Sequence, residues 1–260
     1  MTKAFLHSLD VAGSVLTSTL ALWRGTRLVK QVAAPAKRLR LYDMEGCPYC
    51  RAVREALTAL GLDVEIYPCP KGGEHYRAEA VALGGKMQFP LLVDLNADTV
   101  MYESADIINY LFETYGKRAT PAYYQPNPLT PRISSLGSLV RGLRGLRYRP
   151  SMPPKKLLEL WSFESSPYSR LVRERLTELA IPYVLHNVGK EQMADMGPAT
   201  LRLQQMRSGG RYQPKKGGKR EKLLAKNGRV QVPYLEDPNT GIKLYESAAI
   251  VDYLEQTYAR

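Results

Sequence analysis

Apolar positions along the chain change period in the same order twice. "LRLYDM" (39–44) alternates like a half-buried strand, and the stretch after it sets Val53, Leu57 and Leu60 at helical spacing. "LDVEIYP" (62–68) reads as a second strand after a short turn. A variable, helix-bearing region follows, then "FPLLVD" (89–94) as a third strand and a hairpin through "NAD". A helix beginning near Ser104 closes the unit, with Ile107, Ile108 and Leu111 on one face. The succession returns with "LLELWSF" (157–163), "IPYVLHNV" (181–188), "VPYLED" (232–237) and a hairpin through "PNTG". Its last helix starts near Ser247, with Ile250, Val251 and Leu254 on one face. Each unit therefore reads strand, helix, strand, helix, strand, strand, helix. Two strands joined by a helix run parallel, which makes this an α/β sheet layer.

The two units also share their letters. "LYDMEGCPYCRAVREALTALGL" (41–62) lies over "LWSFESSPYSRLVRERLTELAI" (160–181), with about half the positions identical. "QFPLLVD" with "MYESADIINYLFETY" answers to "QVPYLED" with "LYESAAIVDYLEQTY". The expected organisation is a leading helix and linker (1–38), a first domain (39–116), a Pro-rich linker with a basic helix (117–156) and a second domain (157–260). "WRGTR" from Trp23 and "VRGLR" from Val140 precede the two first strands at similar distances, so each copy is expected to begin with its own helix.

Composition narrows the classes. A length of 260 residues suits two ordinary domains, each with its own core. Three cysteines are too few for a secreted disulfide framework, which points to a reducing compartment, the cytoplasm. The apolar run Val11–Trp23 is shorter than a spanning helix needs and has almost no basic residues before it, so it reads as a helix of a soluble protein. The formal net charge of +12 favours anionic partners without naming one.

Cys47 and Cys50 form a C-x-x-C directly after a strand and at the start of a helix, which reads as a thiol-disulfide pair. The helix N-terminus favours a thiolate at Cys47, and Arg51 and Arg54 on the first turns are expected to add to that field. Pro48 suits the first helical position. Cys50 lies one turn on, close enough to resolve a mixed disulfide. The spacing C-x2-C-x18-C-x5-H through Cys69 and His75 also allows zinc. Against zinc, the second copy keeps the surrounding sequence while Ser166, Ser169 and Val188 replace all three sulfurs. Inert buried thiols and iron–sulfur ligation stay open as well.

"CPYC" after a strand, a proline behind an apolar residue ("QFP", "QVP") and "YES-x-x-I-x-x-YL", in order and twice, resemble glutaredoxins. They resemble more closely the thioredoxin-like N-terminal domain of glutathione S-transferases. The resemblance implies two tandem thioredoxin-like domains; in a departure from the transferases, a second copy is expected where they carry an all-helical domain, so no all-helical transferase domain is expected. It implies glutathione as co-substrate, and protein disulfides or glutathionylated thiols as partners. Pro90 and Pro233 match the family's cis-proline. Phe89 and Val232 would pair with the cysteinyl part of glutathione. Glu103 with Ser104, and Glu246 with Ser247, match the positions holding its γ-glutamyl group. Tyr49 and Ser166 belong to the same two sites.

The implied function is a glutathione-dependent thiol-disulfide oxidoreductase, with Cys47 as nucleophile and Cys50 as its partner. The second domain would be redox-inactive, binding glutathione or a partner. A non-catalytic glutathione-binding module and a transferase-like protein are the alternatives. The longer middle of the second copy, Met196–Arg229, concentrates basic residues. It reads either as a solvated loop or as a surface for an anionic partner; no nucleic-acid-binding motif accompanies it.

Overall fold

The computed structural model describes residues 2–125, 129–198 and 212–260. A leading helix α1 (Lys3–Leu20) precedes the first repeat, which contains β1 (Leu39–Asp43), α2 (Pro48–Leu60), β2 (Val64–Pro68), α3 (His75–Gly84), β3 (Leu91–Asp94), β4 (Thr99–Met101) and α4 (Ser104–Thr114). A second leading helix α5 (Leu129–Val140) introduces β5 (Leu158–Ser162), α6 (Pro167–Glu178), β6 (Tyr183–Asn187), α7 (Lys219–Asn227), β7 (Tyr234–Asp237), β8 (Ile242–Tyr245) and α8 (Ser247–Tyr258). Both repeats are thioredoxin-like: β1 runs parallel to β2 with Leu41 opposite Ile66, and β5 parallel to β6 with Leu160 opposite Leu185. The last two strands of each repeat are antiparallel.

The repeats do not stand apart. β2 pairs antiparallel with β6, with Val64 opposite Leu185 and Ile66 opposite Tyr183. One eight-stranded sheet results, in the order β4-β3-β1-β2-β6-β5-β7-β8. An open strand edge presents unpaired N–H and C=O groups, and each repeat covers the other's. Leu39, Leu41, Leu57, Ile66, Leu160, Val172, Leu176 and Leu185 belong to one continuous buried cluster spanning both repeats.

The leading helices pack against each other and cross over: α1 lies on α6 of the second repeat, and α5 on α2 of the first. Ser18 Oγ donates to Ser165 O at 2.8 Å, and Ser138 Oγ to Gly46 O, also at 2.8 Å. After the helices, Gly25 O accepts from Ser165 N and Gly145 O from Gly46 N. This pairs Trp23–Arg27 with Leu143–Arg147, three residues beyond the "VRGLR" alignment expected from the sequence. Positive φ at Trp23 and Gly25 is repeated at Leu143 and Gly145, which fixes the correspondence.

Several residues of the basic stretches are engaged within the chain. Arg141 Nη2 lies 2.7 Å from Glu174, Arg144 Nη1 2.6 Å from Asp10 and Arg149 Nη1 2.5 Å from Glu255. Within Met196–Arg229, residues 199–211 lie outside the described residues. The remainder includes α7, which takes the place of α3 and is not a solvated loop. Arg220 Nη2 donates to Val188 O as Arg77 Nη1 donates to Cys69 O, Lys219 binds Asp63, and Lys226 Nζ lies 2.9 Å from Glu236. Among the described residues, no helix is long and apolar enough to cross a membrane.

Candidate functional site

The sheet places two equivalent loops at the N-termini of α2 and α6. Cys47 is the N-cap of α2 in extended conformation, with Pro48 as the first helical residue. Cys47 is 8% exposed and Cys50 fully buried. A hydrogen bond from Cys50 to the Cys47 sulfur is the largest influence on Cys47. Burial opposes it, the backbone N–H groups of Cys50 and Tyr49 assist it, and together with the charge of Arg54 they bring the thiol down to about 7. Burial pushes the Cys50 thiol well up, and its bond to Cys47 adds to that. The pair is thus divided into one thiol that ionises near neutrality and one that keeps its proton. Tyr49, between them, is half exposed.

The arginines contribute less than their sequence positions imply. Arg51 Nε bonds Glu55 Oε1 at 3.1 Å. Arg54 is buried between Asp43, Glu45 and Glu164, so most of its charge is met by carboxylates before it reaches the sulfur. Glu164 is held down to about 2: burial works against this, and the charges of Arg173 and Arg54 outweigh it.

Met44, Cys47, Cys50, Cys69 and Tyr76 form a buried cluster, with Phe89, Tyr102 and Leu146 packed on it. Cys69 Sγ donates to Tyr67 O, and burial raises its thiol. The Phe89–Pro90 and Val232–Pro233 peptides are both cis. Glu103 and Glu246, not the serines, are the N-caps of α4 and α8, with φ of 62° and 65°. Left-handed backbone at a glutamate is costly, and both repeats adopt it at the same place. Gln88 and Gln231 each donate to the glutamate of their own repeat. Ser104 and Ser247 are the first residues of their helices.

In the second repeat Ser166 is the N-cap of α6 and accepts from Ser169 N at 3.3 Å. Thr26, from the segment after α1, hydrogen-bonds the Ser165 hydroxyl. Ser247 Oγ lies 3.3 Å from His7 Nε2 of α1. A cavity of about 1020 Å³ opens here, and its lining brings Ser166, Val232, Pro233, Glu246 and Ser247 together. Its remaining walls include Trp23, Tyr123, Tyr124, Phe163 and Tyr168. Sequence reasoning missed Trp23, Tyr123 and His7, which lie outside the repeated letters. The signal available was the aromatic cluster "AYY" in an otherwise polar, Pro-rich linker.

The model of the glutathione S-transferase N-terminal domain matches residues 41–119 and again 160–260. The chain belongs to this family. No curated protein matches closely enough to count as a relative. Among solved structures, a glutathione transferase of Bombyx mori, BmGSTD1, is 29% identical over 33% of this chain and 39% of its own, with a TM-score of 0.29. The matched segment thus spans about two fifths of that transferase. The two family matches coincide with the two thioredoxin-like halves of the sheet, so the family domain is present in tandem.

Proposed function

We propose that the protein is a glutathione-dependent thiol-disulfide oxidoreductase whose chemistry resides in the first repeat. The observation that carries this reading is the division of the Cys47–Cys50 pair into a thiol near neutrality and a buried, protonated partner. The Cys47 thiolate attacks the glutathione sulfur of a mixed disulfide, the S–S bond breaks, and the substrate thiolate leaves. A second glutathione thiolate then attacks the Cys47–glutathione disulfide, releasing oxidised glutathione and restoring Cys47. For protein disulfides, Cys50 gives up its proton and attacks Cys47 of the Cys47–substrate disulfide, the substrate thiol leaves, and two glutathiones then reduce the Cys47–Cys50 disulfide. Phe89 beside cis-Pro90, with Glu103 and Ser104, would seat the glutathione moiety, its carboxylate at the N-terminus of α4. The reducing cytoplasm is the compartment such a thiol pair fits.

The second repeat has no sulfur at Ser166, and the 1020 Å³ cavity favours a different use of it. A cavity of that size exceeds what one tripeptide fills, and its walls include Trp23, Tyr123 and Tyr124 as well as the charged Arg27, Lys190 and Arg220. This supports a transferase-like or purely binding role for the second repeat: glutathione along Val232, Glu246 and Ser247, and an apolar group against Trp23 and Tyr123. Lys215, Lys216 and Lys222 are exposed and would face an anionic partner.

The test is glutathione-coupled reduction of a small mixed disulfide. Cys47→Ala is expected to abolish turnover, and Cys50→Ser to retain deglutathionylation. Full turnover by Cys47→Ala would refute the assignment.

A further inference from the structure

Cys47 also borders a second space, on the side facing the leading helices. This chamber, of about 20 Å³, is lined by Cys47, Arg51 and Arg170 and by the carboxylates of Glu45, Glu164 and Glu174, among others. A single water needs roughly 10–15 Å³, so the chamber takes a molecule of one or two heavy atoms and excludes a tripeptide. Its polar lining carries both signs of charge, and a carboxylate oxygen there, Glu164 Oε1, lacks a hydrogen-bond partner among the described residues. Arg51 is 5% exposed, and its Nη2 has no hydrogen-bond partner among the described residues. Arg170 is 3% exposed, and its Nη1 and Nη2 bond only neutral oxygens, Ser14 O and Ser18 Oγ. Burial and the nearby charge of Arg51 bring Arg170 down to about 9, against the charges of Glu164 and Glu45. Buried guanidiniums and carboxylates thus line a space that Cys47 also lines, and its lining residues include one unmade N–H bond, at Arg51, and one unused acceptor, at Glu164. An unmade bond in such a place marks a ligand or a developing charge.

We propose that this chamber takes hydrogen peroxide, and that Cys47 is oxidised by it directly, without glutathione. The Cys47 thiolate attacks one peroxide oxygen, the S–O bond forms as the O–O bond breaks, and hydroxide leaves and takes a proton to become water. Negative charge grows on the departing oxygen, where the free Arg51 N–H stabilises it. Cys47 is then a sulfenic acid. Cys50 loses its proton, its sulfur attacks Cys47, and a second water departs as the disulfide closes. The dithiol gives up two electrons and the peroxide accepts them. This activity is additional to the glutathione reaction and uses the same sulfur.

The pre-reduced full chain is mixed, free of glutathione, with hydrogen peroxide or with tert-butyl hydroperoxide. Loss of the Cys47 thiol is followed by quenched mass spectrometry, with free cysteine in parallel. Per thiolate, the protein is expected to outpace free cysteine with hydrogen peroxide by roughly tenfold to a hundredfold, the worth of one charge-assisted hydrogen bond made in the transition state. Its preference for the small peroxide over the bulky one should exceed that of free cysteine by a similar factor. Arg51→Lys should return both values to those of free cysteine, while the pH midpoint for Cys47 alkylation stays near that of wild type. A wild-type rate and preference equal to those of free cysteine overturn the proposal, and that comparison needs no variant to fold. Because glutathione is absent, the outcome is independent of the coupled assay of the oxidoreductase reading.

Discussion

Glu45 and Glu164 exchange arginines between the repeats: Arg173 Nη2 lies 2.9 Å from Glu45 Oε1, and Arg54 Nε lies 2.9 Å from Glu164 Oε2. All four side chains are buried. Each glutamate immediately precedes the loop of its own repeat, so the ion pairs tie the Cys47 loop and the Ser166 loop to the opposite helix. Beneath them β2 and β6 are paired, and the apolar core is shared. The two repeats therefore act mechanically as one body.

That coupling predicts a single unfolding transition. Glu164→Ala leaves Arg54 and Arg173 short of a buried counter-charge, a change expected to cost about 3–5 kcal/mol. Urea unfolding followed separately by near-ultraviolet and far-ultraviolet circular dichroism should give coincident curves, displaced to lower urea in the variant. Two resolved transitions in the wild type would show that the repeats unfold independently.

The same cluster has a pH signature with two limbs. Glu164 titrates near 4.5 unperturbed and at about 2 when folded, so its stabilisation is present above 4.5 and fades as pH falls from 4.5 toward 2. Asp43 behaves oppositely: burial raises it from 3.8 to about 6, against the pull of Arg54, so its ionisation weakens the fold as pH rises from about 4 through 6. From these two groups, the urea midpoint is expected to peak between pH 4 and 5. Asp43→Asn should flatten the upper limb and Glu164→Gln the lower; unchanged limbs in both variants would contradict the assignment.

Cys47 should be the fast thiol. The rate of iodoacetamide alkylation against pH is expected to rise with a midpoint near 7, while Cys50 and Cys69 stay unmodified in the folded chain. Cys50→Ala removes the largest cause of the shift, so the midpoint should move toward that of an ordinary thiol. A midpoint unmoved by Cys50→Ala would transfer the effect to the helix terminus and backbone.

For the second repeat, Trp23 is a built-in reporter on the cavity wall, and Trp161 is stacked on His186 at 4.2 Å between centroids. In a Trp161→Phe background, glutathione is expected to change Trp23 emission saturably. Adding Ser247→Ala should weaken the half-saturation roughly tenfold, the loss of one hydrogen bond to a charged group. No saturable change with Trp23 as the only tryptophan would argue that the cavity does not take glutathione.

Much of this was legible from the letters. The strand and helix order follows from the change of apolar period, and the paired loops of Cys47 and Ser166 from the repeated sequence. The cis prolines were implied by resemblance alone. The joining of β2 to β6 was not legible, because period tells which face of a strand is buried and nothing about which chain covers its edge. The crossing of α1 and α5 was hidden for a related reason: Ser14, Ser18 and Ser138 look like surface residues until another backbone lies against them. Arg54 reads as a charge on a helix start, and only the fold shows that carboxylates of both repeats absorb it. The predicted residues of the second repeat line the cavity, but its aromatic wall was hidden because Trp23 and Tyr123 come from segments outside the repeat.

The account rests on Cys47 exchanging disulfides with glutathione, and trapping the intermediate tests this most directly. Reduced Cys50→Ser protein is mixed with oxidised glutathione, quenched with acid, digested and mapped by mass spectrometry. The account predicts one glutathione per chain, on Cys47. An unmodified chain, or an adduct on Cys69 with Cys47 free, would contradict it.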